Sequence, residues 1–317
     1  MKVHEIIQQS DKTLLTLELL PPVKGSNFDG IAATIESLIQ FNPAYVNITY
    51  HRADVVVTKS NKGETEKHIT KKRPGTVSIA AAIKYKYGLE VVPHLVCGGF
   101  TTEETEDALI DLNFLSIQNV LALRGDKRKN DEHFVSDENG HAHAVDLLKQ
   151  IKAMNKGIYL HSEISNAVAT DFSVGVAGYP EMHGDAESME QDLTHLKQKV
   201  AAGADYIVTQ MFFDNAAFVR FVEKCRSMGI TIPIIPGLKP ISIKRQLEIL
   251  PETFHLAIPE DLKKEVEKCK DEKAVKQVGV EWTIAQCKEL KKFGAPALHF
   301  YTMGRPDNIV AICKEIF

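Results

Sequence analysis

A single α/β domain built as a (β/α)8 TIM barrel is the fold this chain predicts, on three observations. Eight short apolar runs recur along it: LLTLELLPP (14–22), AYVNITY (44–50), LEVVPHLV (89–96), NVLALRGD (119–126), FSVGVAGYP (172–180), ADYIVTQMFF (204–213), PIIPGLKP (233–240) and PALHFYTM (296–303). The stretches between them carry helical periodicity, and strands alternating with helices make a parallel sheet. Most runs also end on a polar residue able to do chemistry. Glu18, Thr49, His94, Asp126, Tyr179 and Gln210 fall there, which is where a (β/α)8 barrel places its active site.

Each intervening element has its own signal. Residues 1–12 read as a short amphipathic lead-in helix. In 27–41, Ile31, Ile35, Leu38 and Ile39 make one apolar helical face. Residues 59–75 are polar and basic and read as an exposed loop over the barrel top, followed by a helix over 76–87. Thr101-Thr102-Glu103-Glu104 is a helix start, with an N-cap threonine and acidic residues in the first turn. The polar segment 127–142 is the longest irregular stretch, of the kind that forms lids or binding loops. Residues 185–202 read as an amphipathic helix closed by Gly203, 215–228 as one closed by Gly229, and 259–293 as one long charged helix closed by Gly294. There is no internal repeat, low-complexity tract or linker, so residues 1–317 read as one domain.

Composition narrows the function class. The 317 residues are 44% hydrophobic and 25% charged, ordinary for a soluble globular protein. A net charge of −4 gives no electrostatic case for nucleic acid or an anionic membrane. No apolar run approaches the roughly 20 residues of a membrane span, and MKVHEIIQQSDK lacks the apolar core of a signal peptide. Cys97, Cys225, Cys269, Cys287 and Cys313 are scattered without a CxxC pair, against a disulfide framework or a cysteine zinc site. The expected compartment is the cytoplasm.

The candidate residues each carry two readings. Glu18 lies among Leu14, Leu15, Leu17, Leu19 and Leu20, ahead of Pro21 and Pro22. A carboxyl there loses hydration, its pKa rises, and it can stay protonated as a general acid. The competing reading is a carboxylate paired with a barrel arginine. In Arg124-Gly125-Asp126 a glycine that permits close backbone approach separates a cation suited to phosphate from an acceptor for ring N–H or ribose hydroxyls. The alternative is an Arg–Asp pair closing a turn. Asp192, His195 and Lys199 share one helix face. That face is either solvated or holds the phosphates and ribose of a nucleotide. His94, after Pro93, reads first as a hydrogen-bonded core histidine. His141 and His143 lack a carboxylate or cysteine at diagnostic spacing, so no metal is expected. Neither GxGxxG nor GxxxxGK[ST] is present, so a nucleotide would bind outside both standard phosphate loops.

Taken in chain order, LELLPP, NITY, VPHLVC, LALRGD, AGYPEMH, TQMFFD, ITIPIIPGLKPI and HFYTMGR resemble the catalytic domain of the bacterial 5,10-methylenetetrahydrofolate reductase family, over nearly the whole chain up to Arg305. The resemblance implies a barrel that binds FAD and reduces methylenetetrahydrofolate to methyltetrahydrofolate with NADH or NADPH. It also implies ping-pong kinetics, in which the folate replaces the spent nicotinamide against the flavin, and a homo-oligomer. By position, Glu18 is the acid that protonates the folate nitrogen as the imidazolidine ring opens to an iminium. Asp126 matches the aspartate beside the flavin pyrimidine edge, which tunes the flavin and helps seat the pterin. Thr49, Tyr50, His94, Arg124, Gly125, Asp126, Ala144, Tyr179, His183, Ala186, Asp192, His195 and Lys199 match positions lining FAD or the nicotinamide. Glu18, Thr49, Asp126, Gln210, Gln246 and Arg305 match positions at the folate, with Arg305 near its glutamate tail.

The chain departs from the family pattern at several points. Leucines flank Glu18 where phenylalanines are common, and His51 and Arg52 follow the Thr-Tyr pair where glycine and alanine are usual. His195 and Gln198 stand where Asn and Arg often occur, and Leu250 takes a position aromatic in some members. The segment between Asp126 and Tyr179 is longer than in compact members, and the C-terminal regulatory domain of eukaryotic relatives is expected to be absent. Two other function classes remain in play: a cofactor-free barrel aldolase or isomerase on a phosphorylated substrate, and a non-catalytic folate- or flavin-binding regulatory subunit.

Overall fold

The computed structural model describes residues 1–59, 65–127, 131, 133–161 and 164–317. Its strands are β1 (Leu14–Leu19), β2 (Tyr45–Ile48), β3 (Asp54–Lys59), β4 (Thr65–Thr70), β5 (Val91–Val96), β6 (Asn119–Leu123), β7 (Ser173–Gly178), β8 (Tyr206–Met211), β9 (Ile234–Leu238) and β10 (Ala297–Tyr301). All except β3 and β4 pair in parallel and close into a barrel, ordered β1-β2-β5-β6-β7-β8-β9-β10 and back to β1. Each of the eight apolar runs supplies one barrel strand.

The helices are α1 (Val3–Gln9), α2 (Asp29–Leu38), α3 (Thr76–Tyr87), α4 (Thr102–Phe114), α5 (Ala144–Met154), α6 (Met189–Ala201), α7 (Asn215–Ser227), α8 (Gln246–Phe254), α9 (Glu260–Lys268), α10 (Glu272–Phe293) and α11 (Asp307–Ile316). Period-2 alternation along each strand divides the core. On β1, Leu15, Leu17 and Leu19 join a cluster with Ile31, Ile35 and Leu38 of α2 and with apolar residues of the other outer helices. Tyr45, Val92, Leu121, Tyr206, Val208, Ile235 and Ala297 fill the barrel axis. Gly175 makes room there, since a Cβ on it would lie 2.4 Å from Tyr206 Cζ.

Helix α1 closes the N-terminal end of the barrel. Val3 packs into the axial cluster and donates its N–H to Asn119 Oδ1 at 2.8 Å, while Asn119 Nδ2 donates to the Met1 carbonyl at 2.9 Å. With that end plugged, the C-terminal mouth is left for chemistry.

Three expectations are corrected. The loop expected over 59–75 contains strand β4, which pairs antiparallel with β3 from Asp54↔Thr70 to Lys59↔Thr65. The β-branched run Val55-Val56-Val57-Thr58 favours an extended chain over a coil, and residues 60–64 of that segment lie outside the described ones. The long helix expected over 259–293 is two. Cys269 is extended at φ −62°, ψ 136°, and Asp271 caps a new start by accepting the Ala274 N–H at 2.8 Å. The helix expected from 185 begins at Met189, because the Ser188 hydroxyl accepts the Gln191 N–H and sets the N-cap; Asp185 is thereby freed to act in the preceding loop. The Thr101 N-cap stands as read, with Glu104 completing a capping box, as does Gly294, left-handed after α10, while the helices read over 1–12 and 27–41 are the shorter α1 and α2. Among the described residues, no helix is long and apolar enough to cross a membrane.

Candidate active site

The β1 register sets Glu18 beside Asn47 of β2 and Tyr301 of β10, on the axial face at the C-terminal mouth. Its side chain is 15% exposed, and burial pushes the carboxyl up to about 8. Its ionisable neighbour is His94 of β5, whose Nε2 stands 3.8 Å from Glu18 Oε2. Burial, helped by His299 and His51, holds His94 down at about 3. His299 lies level with Thr16 and is likewise held at about 3 by burial, with its Nδ1 2.9 Å from Thr16 Oγ1. Among the described residues the barrel arginine expected as one possible partner of Glu18 is not in ion-pair range. An uncharged carboxylic acid among uncharged imidazoles can donate a proton without first taking one up.

Tyr301 completes this end. Its hydroxyl donates to the Thr209 carbonyl at 2.7 Å, and its ring crosses Gly237. A Cβ on Gly237 would sit 2.2 Å from Thr209 O and 2.7 Å from Tyr301 Cε2, so glycine is required. Thr302 Oγ1 donates to the Glu18 carbonyl at 2.6 Å and ties β10 to β1.

A second group gathers at the ends of β6 and β7. Gly125 has φ +83°, a left-handed turn that carries the chain away after Arg124. The Arg–Asp pair expected as one reading of 124–126 is not formed. Arg124 Nη2 reaches Asp185 Oδ2 at 2.6 Å instead, and its guanidinium lies over the Phe134 ring at 5.2 Å. Arg124 Nε is buried without a partner, and Asp126 is exposed. Arg124, His133, Phe134, Val135, Ser136, Ala142, His143 and Asp185 line a cavity of about 350 Å³, beside Ala144 at the start of α5. Asp137 accepts from Gly99 N at 2.5 Å and from Arg52 Nη2 at 2.7 Å, which ties its part of the 127–142 segment to the loops after β2 and β5. Residues 128–130 and 132 lie outside the described ones.

The polar face of α6 divides. Asp192 is 8% exposed and accepts the His183 N–H at 3.0 Å, which holds the loop that also carries Ala186. Lys199 donates to the Ala177 carbonyl at 2.7 Å. Burial lowers it to about 8, against the pull of Asp192. His195 alone of the three is exposed to solvent. Tyr179 meets His183 edge-on at 4.6 Å.

The remaining candidates sit around the rim. Thr49 Oγ1 is 3.2 Å from His51 Nε2, and Tyr50 packs on Phe100 with centroids 4.7 Å apart. Gln210 Oε1 accepts the Met211 N–H at 2.9 Å. Gln246 Oε1 accepts from Ser242 N at 2.6 Å and so shapes the loop entering α8. Leu250 is buried at 4% exposed in a cluster with Met211, Phe213 and Ile241, and Arg305 is exposed. Asp185 and Phe134 escape the sequence reading. Phe134 is the only aromatic of a polar loop, the one local signal it offers. Among the described residues no group of three or more His, Cys, Asp or Glu side chains gathers as a metal site would require.

The fold and mouth define a (β/α)8 barrel with a buried acid at the end of β1 and a cavity lined by Arg124 and Asp185 at the ends of β6 and β7. The family model described as methylenetetrahydrofolate reductase matches residues 2–316. The chain belongs to that family. It is 33% identical over its whole length to a probable methylenetetrahydrofolate reductase (NADH) of Oryza sativa subsp. japonica, of which it covers 50%. It is 31% identical over 95% of its length to the 5,10-methylenetetrahydrofolate reductase of Escherichia coli (strain K12), of which it covers 90%. The chain thus spans about half the length of the plant relative. Among solved structures, an uncharacterized protein from Clostridium thermocellum that binds two copies of 5-methyl-5,6,7,8-tetrahydrofolic acid shares the fold. Its TM-score is 0.58 at 14% identity, covering 98% of this chain and 97% of that one.

Proposed function

We propose that residues 1–317 act as one catalytic domain that reduces 5,10-methylenetetrahydrofolate to 5-methyltetrahydrofolate, with NADH or NADPH as electron donor and FAD as bound redox group. The observation that carries this reading is the uncharged Glu18 carboxyl, buried at the mouth of a barrel of this family. The folate and the nicotinamide are carried over from the names of the relatives.

The residues present fit FAD. The cavity beside Arg124 is about 350 Å³ and joins a guanidinium to an aromatic ring. The buried, unpartnered Arg124 Nε offers a donor suited to a phosphate oxygen. Arg124, Gly125, Ala144, His183, Ala186, Asp192, His195 and Lys199 would hold the nucleotide end, and Thr49, Tyr50, His94, Asp126 and Tyr179 the ring. FAD, when bound, supplies the two-electron chemistry that links nicotinamide to folate.

The chain's own residues orient, exclude water and move one proton. Glu18 donates its proton to the ring nitrogen of the folate, so that the carbon bridge opens to an electrophile. Its raised pKa keeps that proton in place at neutral pH. His94, uncharged, adds no positive charge that would stabilise the carboxylate and draw the proton off early. Asp126 accepts hydrogen bonds from pterin or flavin N–H groups, and its negative charge opposes further negative charge on the ring. Gln210, Gln246 and Arg305 address the folate. The test is direct: the purified protein should carry a flavin absorbance band that NADH or NADPH bleaches without oxygen and methylenetetrahydrofolate restores. A colourless protein that cannot be reconstituted with FAD overturns the reading.

A further inference from the structure

Two of the points at which this chain departs from the family pattern lie against one another. Arg52 follows β2, and the longer segment that begins after Asp126 follows β6. Arg52 Nη2 stands 2.7 Å from Asp137 Oδ1, and Arg52 Nη1 donates to the Val135 carbonyl at 3.3 Å. The second Asp137 oxygen accepts the Gly99 N–H at 2.5 Å. The two side chains are 15% and 28% exposed. A fully exposed ion pair adds little to a fold. One largely withdrawn from water, in which each partner makes a second hydrogen bond, is the stronger kind.

The loop after β5 is shaped to take the pair. Gly99 has φ +96°, and a Cβ on it would lie 3.0 Å from Arg52 Cγ. A Cβ on Gly98 would lie 3.1 Å from Phe134 Cε2 and 3.3 Å from Arg52 Nη1. The two glycines let the guanidinium and the Phe134 ring pack closely on this backbone. The 127–142 segment needs such a hold. Phe134 and Val135 are its only large apolar residues, and Val135 is 58% exposed, so burial does little to fix it. Phe134, Val135 and Ser136 form one wall of the Arg124 cavity, and the Arg52 contacts fall at 135 and 137. Phe134 also carries the Arg124 guanidinium over its ring at 5.2 Å. Contacts thus run from Arg52 through 134–137 to Arg124, whose Nε is the buried donor without a partner.

We propose that Arg52 and Asp137 are positioning residues for the bound flavin nucleotide. Their ion pair fixes the 134–136 wall and, through Phe134, the Arg124 guanidinium, and so slows release of the cofactor. This rests on the FAD reading above. It gives the two departures one role, since Arg52 finds both of its acceptors in the longer segment.

The test is the rate at which FAD leaves the loaded full-length chain, followed by recovery of flavin fluorescence on dilution. Arg52→Met keeps an apolar stem beside Gly99 and removes the charge, and Asp137→Asn keeps an oxygen for the Gly99 N–H. Each should release FAD about tenfold faster than wild type, the loss of one charge-assisted hydrogen bond. The double variant should be no faster than either alone, because the two partners share one contact. Arg52→Lys should recover part of the retention. In about 1 M salt the gap between wild type and Arg52→Met should narrow, as screening weakens the pair in wild type. Unchanged release in either single variant, effects that multiply to about a hundredfold in the double variant, or a gap that ignores salt overturns the proposal while FAD binding stands. Faster release matched by an equal loss of urea resistance in the flavin-free variants makes the pair structural and also overturns it. A wild-type protein that cannot be loaded with FAD overturns the FAD reading and this proposal with it.

Discussion

Glu18 Oε2 and His94 Nε2 face one another at 3.8 Å across the barrel mouth, and between about pH 3 and about pH 8 neither group is charged. In water the same two side chains would both be charged between pH 4.5 and 6.5. Here removal from water opposes charge on both, and one close contact does not repay two desolvations. The proton therefore stays on the carboxyl, where the proposed chemistry uses it.

That arrangement has a stability signature. The folded-state pKa of Glu18 is raised from 4.5 to about 8, so between those values the folded chain binds a proton that the unfolded chain has released. Stability contributed by this group is present below 4.5 and falls as pH rises toward 8, by at most about 1.4 kcal/mol per pH unit. Glu18→Gln removes the titration. Urea unfolding across pH should give a variant whose advantage over wild type grows from pH 4.5 to about 8 and then levels. A pH-independent difference would contradict the neutral acid.

Arg124 joins the cavity to the Asp185 loop at 2.6 Å and to the Phe134 ring. Arg124→Ala should loosen FAD by about 10- to 100-fold, through loss of a charge-assisted donor and the stacked guanidinium. Flavin release measured by fluorescence recovery checks this. Retention equal to wild type would remove Arg124 from the nucleotide site.

Asn119 holds the N-terminal plug through both ends of its amide. Asn119→Ala strands the buried Val3 N–H, and urea denaturation should report a loss of about 1–3 kcal/mol. Turnover per folded molecule should be unchanged, because the plug lies at the end of the barrel opposite Glu18.

What was legible in the chain was the part written in local pattern. Eight apolar runs became eight barrel strands because burial on both faces leaves a short apolar signature wherever it occurs. The β3–β4 hairpin was missed because its polar second strand, Thr65–Thr70, has the composition of a coil. The α9–α10 break was missed because Lys, Glu and Asp continue across it, and only the backbone turn at Cys269 divides them. Individual side chains at the site were legible by type and not by partner. Glu18 could be placed among leucines, but His94 as its neighbour, or Asp185 rather than Asp126 for Arg124, depends on strands and loops far apart in the chain.

The central claim is that Glu18 serves the folate step alone. Anaerobic rapid mixing of the Glu18→Gln protein with NADH or NADPH, and then with methylenetetrahydrofolate, separates the two half-reactions. Bleaching of the flavin should proceed within a few-fold of wild type, while reoxidation by the folate should slow by at least about 100-fold, the scale of a lost general acid. Equal slowing of both steps, or reoxidation at the wild-type rate, would contradict it.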